Sequence, residues 1–329
     1  MSSSVINIVA DIGGTNLRVG IVQPDGSVAN LELFQCEEYS SLKSVLDLYL
    51  TNQNIDTSVT KTNACLAIAC PVDQDLISMT NLPWSFSKSE LKADLKLNHL
   101  YMINDYTAIA WSINSLSDDQ KVKIGGGESI PHTPMAICGP GTGLGVANVI
   151  WGHDQWISVG GEGGHADFAP VDDTEIEILK FLQTKYPRVS YEQVLSGLGI
   201  EQIYQALCSI KNVPAQDYQA KDISGKALDN SCEICLEALQ QFCKILGSFA
   251  GNLALTTSAF GGVYIAGGIV PRFIEFFENS DFRARFIAKN RFTEFNSKIP
   301  TYVITEAQPG ILGASAYLIQ QNNNEALCR

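Results

Sequence analysis

The stretch VINIVADIGGTNLRVGIV, Val5 to Val22, decides the fold. Apolar residues lead up to Asp11, and the pair Gly13-Gly14 turns the chain. Leu17, Val19 and Ile21 then alternate with other residues on the way back. This predicts strand, tight turn and strand, with Asp11 at the bend and Thr15-Asn16 just past it. Glycines let backbone come close to a ligand, and the N–H groups of such a turn form a concavity for anions. A carboxylate beside phosphate is repelled unless a cation stands between them, which points to Mg²⁺-bound nucleotide. The plain alternative is an ordinary hairpin.

Outward from this turn, the chain is long enough at 329 residues for two domains. Hydrophobic content of 45% and charged content of 17% are those of a globular protein. A formal net charge of −13 makes the chain a poor partner for nucleic acid or an anionic membrane. Any phosphate it holds is therefore expected on backbone amides and metal, not on a lysine cluster. No apolar run reaches the roughly 18 residues of a membrane span, and no basic segment precedes the first apolar stretch. Nine scattered cysteines, several in apolar runs, read as reduced thiols of a cytoplasmic protein. Cys232 and Cys235 form a CxxC inside a helical pattern, and no second pair stands at zinc spacing.

Leu42, Val45, Leu46 and Tyr49 recur at helix spacing, and an apolar run from Ala64 to Cys70 stops at Pro71. Leu100 to Ile103 is another short apolar run, ending in Asn104-Asp105, after which Tyr106 to Ile113 reads as helix. Polar groups at the end of a buried strand are costly unless used, and ligands of open α/β sheets bind outside the carboxyl ends of strands. Ser117 to Pro134 is polar and glycine-rich, and a domain boundary is placed near its start. The opening pattern then recurs: Met135 to Cys138 is apolar, Gly139 to Gly145 (GPGTGLG) turns, and Val146 to Trp151 returns as strand. Neither turn is a Walker A loop or a dinucleotide fingerprint.

GGEGGHAD, Gly160 to Asp167, places Glu162 and His165 three apart, but the flanking glycines argue against helix. A loop presenting a carboxylate and an imidazole to a ligand is expected. Ile176, Leu179 and Leu182 mark a helix, and Tyr191 to Gly197 leads into another; Glu192 taken alone is a commonplace helical glutamate. The longest helix runs from about Ser231 to Thr257 on a seam of Leu239, Phe242, Leu246, Phe249 and Leu253. Val263 to Ala266 reads as strand. A third glycine turn, Gly267-Gly268, follows it and leads into a helix start suited to a nucleotide's polar parts. Thr301 to Ile304 is the last strand, and Ile311 to Gln320 the closing helix.

ADIGGTN (Ala10 to Asn16), IND (Ile103 to Asp105), GPGTGLG (Gly139 to Gly145), GEGGH (Gly161 to His165), EQVLSG (Glu192 to Gly197), AGGIVPRF (Ala266 to Phe273) and PGILG (Pro309 to Gly313) resemble the motifs of the bacterial ATP-dependent glucokinase family. The similarity runs nearly end to end. It implies the hexokinase-type, actin-like fold: two α/β domains of ribonuclease H-like topology with a cleft between. The small domain would comprise 1–115 plus 306–329, and the large domain 116–305. The ROK branch of sugar kinases carries a cysteine-rich zinc motif after the histidine. No cysteine occurs between Ala166 and Lys185, so the zinc-free branch is implied, with His165 on sugar.

The resemblance implies Asp105 as general base toward the 6-hydroxyl of D-glucose. Asn81, Asn104, Glu162, His165 and Glu192 would join Asp105 in holding the sugar. Ala10, Asp11, Ile12, Gly13, Gly14, Thr15 and Asn16, with Gly141, Thr142 and Gly143, would cradle the phosphates of ATP. Gly267 and Gly268 would face the adenosine, Asp11 would orient water on Mg²⁺, and domain closure would exclude water. Pro140 has no N–H, so one potential phosphate donor is missing there. A homodimer is also implied. The alternatives are a kinase for fructose, mannose or an N-acetylhexosamine on the same fold, a non-catalytic sugar-sensing protein, and an actin-like ATPase that binds protein.

Overall fold

The computed structural model describes residues 5–79 and 82–327. The chain divides into two compact units, one of residues 1–116 and 306–329 and the other of residues 117–305.

In the first unit the opening stretch is β1 (Ile6–Ile12) and β2 (Asn16–Val22), followed by β3 (Val28–Gln35). The three form an antiparallel meander, with Asp11 opposite Arg18 and Ile12 opposite Leu17. Helix α1 (Leu42–Asn52) starts where the Ser41 hydroxyl accepts from the Ser44 N–H, and it buries all four residues of its predicted stripe. Strand β4 (Thr62–Ile68) is buried along its whole length and runs parallel to β1. That explains its unbroken apolar run, since a strand covered on both faces shows no alternation. A small hairpin of β5 (Leu76–Ser78) and β6 (Ser85–Ser87) leads to α2 (Lys88–Asp94), then to β7 (His99–Asn104) and α3 (Asp105–Ser112). The sheet order is β3-β2-β1-β4-β7, with the last two strands parallel to β1.

The second unit opens with β8 (Lys121–Gly125), inside the polar, glycine-rich segment near whose start the domain boundary is expected. It is an edge strand, antiparallel to the last strand of its sheet, and its two lysines suit an edge. Strands β9 (Met135–Pro140), β10 (Leu144–Gly152) and β11 (Gln155–Gly161) repeat the opening meander. β9 runs through Gly139 and Pro140, so the turn is three residues, 141–143, shorter than the seven-residue GPGTGLG span.

Helices α4 (Asp173–Gln183), α5 (Gly197–Ile210), α6 (Ala220–Leu228) and α7 (Glu233–Thr257) follow. In α4 the buried positions are Glu175, Ile178 and Leu182, while Ile176 faces outward, so the predicted stripe is rotated. In α7 the seam is buried as expected apart from Leu253, which is only partly covered. Strand β12 (Gly262–Ile265) lies parallel to β9. The short helices α8 (Ile274–Glu278), α9 (Phe282–Ile287) and α10 (Thr293–Lys298) then lead to β13 (Thr301–Ile304), parallel to β12. The sheet order is β11-β10-β9-β12-β13-β8.

The two sheets share one plan: an antiparallel meander of three strands, then two strands parallel to the first. This is the ribonuclease H-like topology, occurring twice, and it is the physical form of the internal echo. The chain finally returns to the first unit as α11 (Pro309–Leu327). There Ile311, Ala314 and Leu318 pack with Val9, Cys65 and Ala67, covering the sheet face opposite α1.

Candidate active site

In the first unit the site residues gather at the carboxyl ends of β1 and β7. Asp11 is the second-last residue of β1, and the Gly13 N–H donates to the Asn16 carbonyl at 3.0 Å, closing the hairpin. Ala10 and Ile12 have fully buried side chains, so they can meet a ligand only through backbone. Gly13, Gly14, Thr15 and Asn16 form the bend and carry its accessible surface. The Thr15 carbonyl is taken by the Cys36 N–H at 2.9 Å, which ties the turn to the end of β3.

Burial raises the Asp11 carboxyl above its ordinary value, with the Arg18 guanidinium pulling the other way. A Cβ on Gly310, in the first turn of α11, would stand 3.0 Å from the Asp11 carboxyl carbon. Glycine is needed there so that a 19-residue helix can present its positive end to the carboxylate.

Asn104 ends β7 and caps α3. Its Oδ1 accepts from the Tyr106 N–H at 3.0 Å and the Thr107 N–H at 3.4 Å. That oxygen is therefore committed to the helix, and the amide nitrogen, which also donates to the Asp105 carboxyl, has one N–H left to offer a ligand. Asp105, the next residue, is partly buried. Burial pushes its carboxyl up to about 6, against a backbone hydrogen bond from Tyr106, and the nearby Asp11 charge adds to the rise. A carboxylate poised near neutrality at a strand tip is suited to accept a proton. Asn81 lies outside the described residues.

In the second unit the turn 141–143 is held from behind. The Gly141 carbonyl accepts from the Gly197 N–H at 2.9 Å, at the start of α5, whose cap is the Ser196 hydroxyl. Glu192 Oε2 accepts from the Leu144 N–H at 2.8 Å, and Oε1 lies 4.0 Å from His165 Nδ1. A Cβ on Gly143 would stand 2.4 Å from Glu192 Oε2, so this glycine makes room for the glutamate. Gly163 to His165 form one turn of 3₁₀ helix in place of the open loop expected, with Glu162 leading into it. Glu162 and His165 are exposed, while Gly164 is buried against the Leu144 carbonyl.

Thr142 is exposed at the tip of its turn. Gly267 takes φ of +82° and packs on the Pro140 carbonyl, and Gly268 faces open space. The expected helix start after them is a four-residue 3₁₀ turn leading to the five-residue α8, so its end dipole is small. A cavity of about 850 Å³ begins there, lined by Pro271, Arg272 and Phe273 and by Leu228 and Gln240 of α6 and α7.

The description of the matching family is "Glucokinase", over residues 8–321. A curated relative from Colwellia psychrerythraea, a glucokinase, is 57% identical over 323 residues, covering 97% of each chain. The chain belongs to the glucokinase family. A solved glucokinase from an Antarctic psychrotroph is 34% identical with a TM-score of 0.89, covering 96% of this chain and 99% of its own. A ROK-family glucokinase from Streptomyces griseus, solved with glucose and AMPPNP, is 17% identical with a TM-score of 0.62. It covers 96% of this chain and 99% of its own, and at that identity it speaks for the fold alone.

For this glucokinase-family chain, motif reading missed what stands behind the motif residues. Arg18 opposes the burial of Asp11, Gly310 makes room for that carboxylate, and Glu192 grips the second turn through Leu144. Only Gly310 had a visible signal, in PGILG; the contacts of Arg18 and Leu144 come from strand register.

Proposed function

We propose that this chain transfers the γ-phosphoryl group of ATP to the 6-hydroxyl of D-glucose, giving glucose 6-phosphate and ADP. The observation that carries the reading is Asp105, a carboxylate raised to about 6 at the tip of β7 and the start of α3. It accepts the hydroxyl proton as the oxygen attacks phosphorus. The curated relative named above, a glucokinase, supports phosphoryl transfer to glucose.

Asn104 through its amide nitrogen, Asp105, Glu162, His165 and Glu192 hold the sugar, and Asn81 is assigned to the same side. Carboxylates accept from two hydroxyls each, so a deoxy analogue leaves one of them unpaired. The backbone of residues 10–16, with Gly141, Thr142 and Gly143, cradles phosphate. Gly267 and Gly268 face the adenosine, and the 850 Å³ cavity beyond them is large enough for a nucleoside. Mg²⁺ fits the donor set at Asp11, a hard oxygen ligand whose burial a divalent cation would offset, and Asp11 would hold it through water. The ion would neutralise phosphate charge. The two compact units serve as small and large domains, and the protein acts in the cytoplasm as a homodimer. Sedimentation and cell fractionation test the last two statements.

A coupled ADP-release assay with glucose, fructose, mannose and N-acetylglucosamine tests the substrate. Glucose is expected to give the highest kcat/KM. Release of ADP that no sugar stimulates would sink the kinase reading, and a preference for another hexose would correct the acceptor.

A further inference from the structure

The CxxC pair, left unassigned by sequence, stands at the start of a 25-residue helix. Cys232 is the N-cap of α7, and its Sγ accepts from the Cys235 N–H at 3.4 Å. Residues three apart in a first helical turn bring their Cβ atoms to about 5–6 Å, within a small adjustment of disulfide reach. Cys232 is partly exposed, whereas Cys235 is fully buried behind it. Cys208, buried at the end of α5, lies close enough to feel a charge on Cys232.

We propose that Cys232 and Cys235 form a thiol–disulfide exchange site for low-molecular-weight disulfides of the glutathione type, with Cys232 attacking and Cys235 resolving. The Cys232 thiolate attacks one sulfur of the disulfide, whose S–S bond breaks. One thiol leaves after taking a proton, and a mixed disulfide remains on Cys232. Cys235 then gives its proton to solvent and attacks the Cys232 sulfur, releasing the second thiol. The protein loses two hydrogens and the small disulfide gains two.

The surroundings fit these roles. Burial alone would raise the Cys232 thiol. Hydrogen bonds from Cys235 and from the Ile234 backbone, with the Lys226 ammonium on α6, outweigh it and hold the thiol below its ordinary value. The other seven described cysteines are all pushed upward by burial; Cys235, Cys138 and Cys243 reach about 12. A partly exposed thiol held below its ordinary pKa, backed by a buried partner, is the arrangement that exchange chemistry needs. Plain core packing would instead bury both sulfurs and leave neither stabilised as thiolate.

The test uses the full-length protein, reduced and then incubated at pH 7 with oxidised and reduced glutathione. Free thiols are blocked with N-ethylmaleimide, and the tryptic peptide from Ala227 to Lys244, which also carries Cys243, is fragmented in the mass spectrometer to place the label. The wild type is expected to form a Cys232–Cys235 bridge that dithiothreitol reverses. Under limiting iodoacetamide, Cys232 should react about tenfold or more faster than any of the other seven described cysteines. Cys235→Ser should accumulate glutathione on Cys232. Cys232→Ser keeps a capping oxygen, so it should fold and form neither product. Cys232 reacting no faster than the other described cysteines, a wild type that forms no bridge, or a bridge from Cys232 to Cys208 would each overturn the assignment. None of these readouts depends on kinase activity, so this proposal and the kinase reading can fail separately.

Discussion

At the residue scale the argument rests on Asp105. In an Asp105→Ala variant the fold and nucleotide binding should persist while turnover drops about 10²–10⁴-fold, the usual worth of a general base. Retention of more than about a tenth of wild-type turnover would remove Asp105 from that role. The same carboxyl makes a stability prediction of opposite sense. Its folded value of about 6 lies above the unfolded 3.8, so the folded state keeps a proton that the unfolded chain has lost. Below pH 3.8 both states are protonated and nothing is lost. Stability then falls as pH rises through the window from 3.8 to about 6, and the full penalty remains above it. The shift is worth at most about 3 kcal/mol, or about 1–2 after discounting for partial exposure. Asp105→Asn should therefore raise Tm at pH 7.5, gain nothing near pH 3.5, and lower turnover by the same factor of about 10²–10⁴. For the wild type, kcat/KM should bend downward below a pH of about 6 as the base protonates. Gly143→Ala is the third residue-scale case. Its Cβ would push Glu192 off the Leu144 N–H, and a displacement on the order of 1 Å at a positioning group costs about 10² in kcat/KM. Circular dichroism should show the fold unchanged.

At the element scale, α3 and α11 approach so closely that a Cβ on Gly313 would stand 1.6 Å from the Ala108 carbonyl oxygen. Ala108 and Ala314 are fully buried in the same contact. Gly313→Ala cannot be absorbed by a side-chain rotation, because the obstacle is backbone. It should destabilise the first unit by about 3 kcal/mol or more, seen as a lowered urea midpoint. Since α3 carries Asp105 at its first position and α11 presents Gly310 to Asp11, activity should fall with it even where the chain stays folded. A drop in urea midpoint without any loss of kcat would separate the two effects.

At the scale of the whole molecule, the first unit is completed by chain from the far end of the sequence. Val9, Cys65, Ala67 and Ile103 have Ile311, Ala314 and Leu318 as their cover. Each fully buried aliphatic side chain contributes about 1.5–3 kcal/mol, so uncovering this face removes an amount comparable to the stability of a domain. A chain ending at Thr305 should lose hydrogen-exchange protection in β1, β4 and β7. It should keep protection in α7, whose core lies wholly within the second unit. Protected β1 amides in the truncated chain would show that α11 is dispensable.

The strands and their glycine turns were legible because each is local: an apolar run of fixed period stops at residues that only a turn tolerates. β1, β2, β4, β7, β9, β12 and β13 follow from that, and so does the recurrence of strand, glycine turn and returning strand. β8 was hidden, because an edge strand needs little apolar content and its lysines resemble a linker. The outward face of Ile176 was misjudged for a related reason, since Glu175 is buried by Gln241 and Arg285, which come from distant segments. At the site, the chemistry-bearing side chains could be named from sequence. What holds them depends on register and packing between residues tens to hundreds of positions apart: Glu192 on Leu144, Gly310 against Asp11, Gly267 against Pro140. Sequence alone thus determined which groups the chain carries and on which strand ends. Only the tertiary structure decided which of their oxygens are already spent, because hydrogen-bond partners are chosen by folded neighbours and not by sequence neighbours.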